Sequence, residues 1–167
     1  MVNTSNLNKS NIRLIIILIA YFSLTLYFFF IKDFKYLIYP DTTSYISIAQ
    51  KYLAGDFANA INGTWSPLTS WLIIPLLFMQ VSPLLALQLS SIIVGGFTLA
   101  GINLLMYTIG VRDNIRFLYC LSLSPVLAYY TLTQGGPDLL SLCVLIYYLY
   151  IQKWPRKFEQ AVKWIIC

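Results

Sequence analysis

Apolar residues dominate four stretches of this chain, and polar or charged residues collect between them. The first stretch, residues 14–31, is an unbroken run of apolar, aromatic and small hydroxyl side chains. At a rise of 1.5 Å per residue it approaches the ~30 Å of a bilayer's hydrocarbon core, and it is predicted to span. Lys9 and Arg13 precede it, as they would a signal peptide. The run exceeds the usual apolar region of such a peptide and no A-x-A-like cleavage site follows, so the pattern reads as an uncleaved anchor.

A second apolar stretch, residues 65–110, is too long for one helix and is punctuated by Pro67, Pro75 and Pro83. Either residues 68–80 cross by themselves, or they lie at the interface and residues 83–109 make the crossing. Two further spans are expected at 117–132 and 138–152, the last being short for a bilayer. In the second span Ser91-x-x-x-Gly95 and Gly96-x-x-x-Ala100 set small residues four apart, a spacing that lets helix backbones approach, within one chain or between two. Pro125 is expected to kink the third span by removing a backbone donor.

Between the first two spans, residues 32–80 form an extramembranous loop with its own helical signals. Asp41-Thr42-Thr43-Ser44 is a helix-start cluster, Tyr45, Ile48, Ala49, Tyr52 and Leu53 recur at helical spacing, and Gly55 ends the run. This predicts an amphipathic helix on the membrane surface, with Tyr45 and Tyr52 at headgroup depth. Asn62-Gly63 marks a turn, and Trp65-Ser66-Pro67-Leu68 leads into a second interfacial helix over residues 69–80.

Composition fixes the class. Of 167 residues, 59% are hydrophobic and only 10% charged, and the mean hydropathy is +0.72. Soluble domains carry about 25% charged residues, so the bilayer is this chain's solvent. The expected fold class is all-α integral membrane, with about four transmembrane helices and an outward loop of interfacial helices between the first and second. Charge gives the orientation. The four-span path puts eight of the eleven Lys and Arg residues in the cytoplasm and leaves Lys32, Lys35 and Lys51 outside. A five-span path would place Arg112, Arg116 and the Lys153 cluster on the opposite side. The expected location is the cell membrane, if the source is prokaryotic, with both termini cytoplasmic.

The net charge of +5 is spread between apolar runs and forms no basic face, which argues against nucleic acid as a partner. Cys120 and Cys143 sit within apolar runs and Cys167 ends the chain, a pattern that is no disulfide framework. With no histidine, imidazole acid–base chemistry, His-based zinc sites and Ser-His-Asp triads are excluded. Proton transfer falls to carboxylates, tyrosines or lysines. Asp41, an outward carboxylate at a helix start beside the bilayer, is favoured in its ionised form by the helix dipole and suits a general base. Capping the helix is the structural alternative for it, and the two roles are compatible. Asp138 reads as a first-turn dipole partner or a second site acid. Asp56 reads as a solvated turn residue, and Asp33, between Lys32 and Lys35, as interfacial charge. Lys51 is a snorkelling lysine or a phosphate contact. Trp65 and Trp71 are interfacial anchors or sugar platforms. Asn62-Gly63-Thr64 fits a glycosylation sequon, which matters only in a eukaryotic secretory membrane.

The order Tyr39-Pro40-Asp41, Tyr45, Ala49, Gly55-Asp56, Trp65-Ser66-Pro67-Leu68 and Trp71-Leu72 resembles the first external loop of GT-C superfamily membrane glycosyltransferases. The likeness is closest to their aminoarabinose transferase and protein O-mannosyltransferase branch. It continues to Gly135-Gly136-Pro137-Asp138-Leu139-Leu140, where that family often has an acid at the start of its fourth span. It covers nearly the whole chain but only about the N-terminal third of such an enzyme. The resemblance implies transfer of a sugar from a polyprenyl-phosphate donor to an acceptor at the outer face. It implies Asp41 as catalytic base and Asp138 as a further site acid. Tyr45, Lys51 and Trp65 are then the candidate donor or acceptor contacts. Many relatives carry Asp-Glu at the loop acid where Thr42 follows Asp41 here, so no cofactor is assigned and a divalent metal stays open.

Residues 158–167 read as the lead-in and first apolar turn of another span. The chain alone is therefore expected not to turn over substrate without further spans or a C-terminal partner chain. Two other classes stand beside the transferase: a non-catalytic small membrane protein, either a remnant or a partner subunit, and a transporter component. The last is disfavoured because the spans carry no ionisable Asp, Glu, Lys or Arg at mid-depth.

Overall fold

The computed structural model describes the backbone of residues 4–36, 38, 40–61, 64–133 and 137–166, with side chains described for these except 4–9, 35, 40, 137 and 153–166. Tyr39, the Asn62-Gly63 turn, the Gly135-Gly136 pair and Cys167 lie outside the described residues, as do the side chains of the Lys153 cluster. Of the described residues 86% are helical and none lies in a strand. Among them seven α-helices follow in order: α1 (Thr4–Ile31), α2 (Pro40–Leu53), α3 (Phe57–Ala60), α4 (Pro67–Phe78), α5 (Pro83–Thr108), α6 (Asp113–Thr133) and α7 (Pro137–Ile166). A single 3-10 turn, Phe34–Tyr36, lies between α1 and α2.

Three of these helices, α1 from Ser10, α5 and α6, are long and apolar enough to cross a membrane, and they mark the chain as an integral membrane protein. The apolar part of α7, Asp138–Gln152, and α4 are shorter. At 12 residues α4 extends about 18 Å, well under the ~30 Å of a hydrocarbon core. Proline starts α4 and α5 at Pro67 and Pro83, where its fixed φ suits a first turn and its missing donor costs nothing. The α4–α5 turn closes with Gln80 in the left-handed region, at φ 62°. The Gln80 N–H donates to Leu77 O and the Val81 N–H to Leu76 O. Gly55 and Gly110 end α2 and α5 with the same pair of bonds, at φ 78° and 85°, where glycine carries no Cβ penalty. Gly55 is where the sequence pattern ends its surface helix.

α5 is the central helix, in contact with α1, α2, α4, α6 and α7. Its small residues are what allow this. Gly95 and Gly96 lie under the rings of Tyr21 and Phe22 of α1, and Gly101 lies under Ile146 and Tyr147 of α7. The small-residue spacing is thus occupied by packing within the chain. Tyr21 is fully buried, and its hydroxyl donates to Ile92 O at 3.0 Å and pairs with Thr131 Oγ1 at 3.1 Å, tying α1, α5 and α6 together. α6 runs continuously through Pro125.

The two ends of the bundle differ. At the proximal end, where α1 starts and α5 turns into α6, Asp113 pairs with both Arg13 and Arg116. Arg116 also donates to Ser10 Oγ at 2.7 Å and lies 5.1 Å over the Tyr107 ring. At the distal end, where α1 and α6 finish and α7 starts, Phe28, Phe34 and Tyr129 form an aromatic cluster. There the buried Gln88 donates to Phe34 O at 3.2 Å, pinning the start of the long loop to α5.

Candidate functional site

α2 and α4 build a cap against the first half of α5. Their shared core is Ala49, Ile73, Ala86 and Leu87, flanked by Ile46, Ile74, Leu76, Leu77 and Val81. Ser70 Oγ donates to Tyr45 O at 3.1 Å and Ser90 Oγ reaches Leu72 O at 3.5 Å, so α4 folds back along α5. The outward face of α4 stays apolar, with Leu68, Trp71 and Phe78 exposed, as are Leu53 and Phe57, whereas the exposed face of α2 carries Asp41, Thr43, Ser47 and Gln50. The apolar face is the surface an interfacial helix presents to lipid.

Helical spacing turns Tyr45, Ile48 and Ala49 inward together, and all three are buried. The Tyr45 ring packs edge-on against Trp65, with centroids 5.4 Å apart. Tyr52, two turns along the same face, is half-buried and meets Phe57 and Trp71, each at 6.0 Å. Tyr45 is buried because α4 supplies a wall for α2 and so removes the Tyr45 face from solvent.

Asp41 sits exposed in the first turn of α2, and Asp138 sits exposed in the first turn of α7. Both bear on Tyr45. Burial pushes the Tyr45 phenol above its ordinary value, and the negative charges of Asp41 and then Asp138 push it further in the same direction. Two acids far apart in sequence thus share one buried hydroxyl as neighbour. Asp138 has a second tyrosine partner, since the Tyr130 side chain from the end of α6 hydrogen-bonds to it. Tyr130 was absent from the sequence-derived candidates. The signal that could have found it is its place near the end of α6, eight residues before the acid in the first turn of α7.

The structure separates Lys51 from this group. It lies ten residues along α2 from Asp41, about 15 Å by helical rise. There its ammonium donates to Asn59 O at 3.2 Å, while Asn59 donates to both carboxylate oxygens of Asp56. The site residues brought together are therefore Asp41, Tyr45, Trp65 and Asp138, with Tyr130 added. Among the described residues no three His, Cys, Asp or Glu side chains come together as a metal centre. Two carboxylates are fewer ligands than a hard divalent cation usually draws from a protein cage, though a cation such as Mg²⁺ can complete its shell with water and substrate phosphates. What the arrangement offers directly is two solvent-facing carboxylates at helix N-termini, beside a phenol that keeps its proton, at the edge of an apolar cap. Comparison with known proteins finds no family model, no curated protein and no solved structure that matches the chain.

Proposed function

We propose that this chain corresponds to the N-terminal part of a membrane glycosyltransferase that moves a sugar from a polyprenyl-phosphate donor to an acceptor hydroxyl at the outer membrane face. What supports the reading is that the negative charges of Asp41 and Asp138, at the starts of α2 and α7, both bear on the buried Tyr45. These are the two acids that the resemblance to GT-C enzymes singles out, and the fold gives them a common neighbour.

In this reading α1, α5, α6 and α7 cross the membrane, with the proximal end cytoplasmic and the α2–α4 cap in the outer interface. The Arg13–Asp113 pair supports the four-span path, because it joins the start of α1 to the α5–α6 turn on one side. The apolar outward face of α4 then lies among the headgroups, where a polyprenyl chain would run, and the polar face of α2 with its acid stands at the water boundary. Asp41 takes the proton of the acceptor hydroxyl as that oxygen attacks the anomeric carbon. The bond from the anomeric carbon to the phosphate oxygen breaks, and the polyprenyl phosphate leaves with the electron pair. Asp138, held by Tyr130, orients the acceptor or the sugar through its free lone pairs. Tyr45 stays protonated as a fixed donor, and Trp65 walls the site.

The test is transfer from a polyprenyl-phosphate sugar by the chain together with whatever spans or partner complete it. Asp41→Asn keeps the shape and removes the base, so the rate should fall by roughly 10² to 10⁴. Transfer near the unmodified rate would return Asp41 to a structural part in the first turn of α2.

A further inference from the structure

Where α4, α5 and α7 meet there is a small cavity, lined by Thr69 and Leu72 of α4, Leu87, Ser90, Ser91 and Val94 of α5, and Leu139 and Leu140 of α7. Its volume is about 10 Å³, close to what one water molecule requires. Thr69 is only 5% exposed, and its hydroxyl has no hydrogen-bond partner among the described residues. On the facing helix Ser90 is buried, and its hydroxyl reaches Leu72 O only at 3.5 Å, the outer limit for such a bond. Ser91, also buried, adds a third hydroxyl.

Apolar cavities of this size stay dry, whereas cavities with two to four polar partners hold water. Here hydroxyl-bearing residues of two different helices line one water-sized space, and the buried hydroxyl of one of them, Thr69, has no partner among the described residues. We propose that this cavity is a binding site for a single buried water that bridges Thr69 of α4 to Ser90 and Ser91 of α5. The water fastens the cap to the bundle, because α4 otherwise holds this part of α5 through aliphatic contacts and the long Ser90 bond. It accepts from or donates to each hydroxyl in turn, which a direct contact across the same gap could not do. The site is independent of the acids and of any sugar-transfer activity.

The sign of one substitution tests this. Thr69→Val replaces the hydroxyl with a methyl group of the same shape. If the hydroxyl holds a water, the variant loses a bond and strands the water, and the thermal midpoint falls by about 3 °C. If the cavity is dry, the same change removes an orphaned buried hydroxyl and the midpoint rises or stays put, which overturns the proposal. The buried thiols of Cys120 and Cys143 provide the readout in nanodiscs, through the slow phase of reaction with a thiol dye. Ser90→Ala combined with Thr69→Val should cost less than the sum of the two single changes, and strict additivity would argue against a shared water. Should Thr69→Val not fold, a lipid-mesophase crystal structure of the unmodified chain, ordered well enough to show other buried waters, decides the question. Density within hydrogen-bond distance of Thr69 Oγ1 supports the site, and clear absence of density there overturns it.

Discussion

The Tyr21 hydroxyl occupies the space that Gly95 leaves by having no side chain. A Cβ added at Gly95 would collide with that hydroxyl and would also meet Thr131 Oγ1 at 2.6 Å. Gly95→Ala should therefore destabilise the chain by about 2 kcal/mol through overpacking, more than alanine's better helix propensity returns. Adding Tyr21→Phe removes the nearest colliding atom and should recover part of that loss in nanodisc unfolding. If Gly95→Ala proved as stable as the unmodified chain, α1 would not seat against α5 as described.

At the proximal end one carboxylate serves two guanidinium groups. Asp113→Asn leaves Arg116, whose side chain is 5% exposed, with a neutral partner. Breaking a buried ion pair costs about 3 to 5 kcal/mol, but the Asp113 side chain is 37% exposed and solvent screens part of the loss. The expected cost is about 2 kcal/mol, and Arg13→Gln should cost less because Asp113 keeps Arg116. Equal effects of the two substitutions would show that the shared carboxylate is not the organising group.

These two clusters show what could be read from the sequence. The all-helical membrane class follows from composition and apolar run length, which are local properties. The same holds for the ends of α2 and α5, where Gly55 and Gly110 supply left-handed closure. The partner of Ser91-x-x-x-Gly95 could not be read, since small residues fit a neighbour in the same chain or in another. The neighbour of Tyr45 could not be read for a similar reason: its helical face is fixed by spacing, but what covers that face is the distant α4. Asp41 and Asp138 were chosen separately, and their common neighbour emerges only when α2 and α7 are brought to the same end of the bundle.

Tyr45 also predicts a pH dependence. Burial, then Asp41 and Asp138, raise its folded pKa above the ordinary value near 10, while the unfolded chain keeps that ordinary value. The unfolded state therefore releases its proton first as pH rises. The stability associated with Tyr45 is fully present below about pH 10 and is lost as the pH climbs from there through the raised folded value. Tyr45→Phe should flatten the fall in unfolding free energy above about pH 10, and Asp138→Asn should flatten it in part. Profiles that superimpose for all three proteins would mean that Tyr45 does not feel these acids.

Membrane topology turns on α4. If α4 crossed, the start of α1 and the α5–α6 turn would lie on opposite faces of the bilayer, yet Arg13 and Asp113 form an ion pair. α4 also folds back along the first half of α5, with Ser90 at Leu72, and its 12 residues are too few to cross. Asn59, exposed in α3, and Gln80, exposed in the α4–α5 turn, should therefore face the same side, while Asn114 at the proximal end faces the other. With single cysteines at these positions, an impermeant maleimide applied to intact cells should label Asn59→Cys and Gln80→Cys and should reach Asn114→Cys only after permeabilisation. A Cys167→Ser background removes the third thiol, and the buried Cys120 and Cys143 contribute no signal in either case. Labelling of Asn59→Cys together with protection of Gln80→Cys in intact cells would make α4 a span. It would also carry Arg112 and Arg116 to the outside, against the charge distribution that favours four crossings.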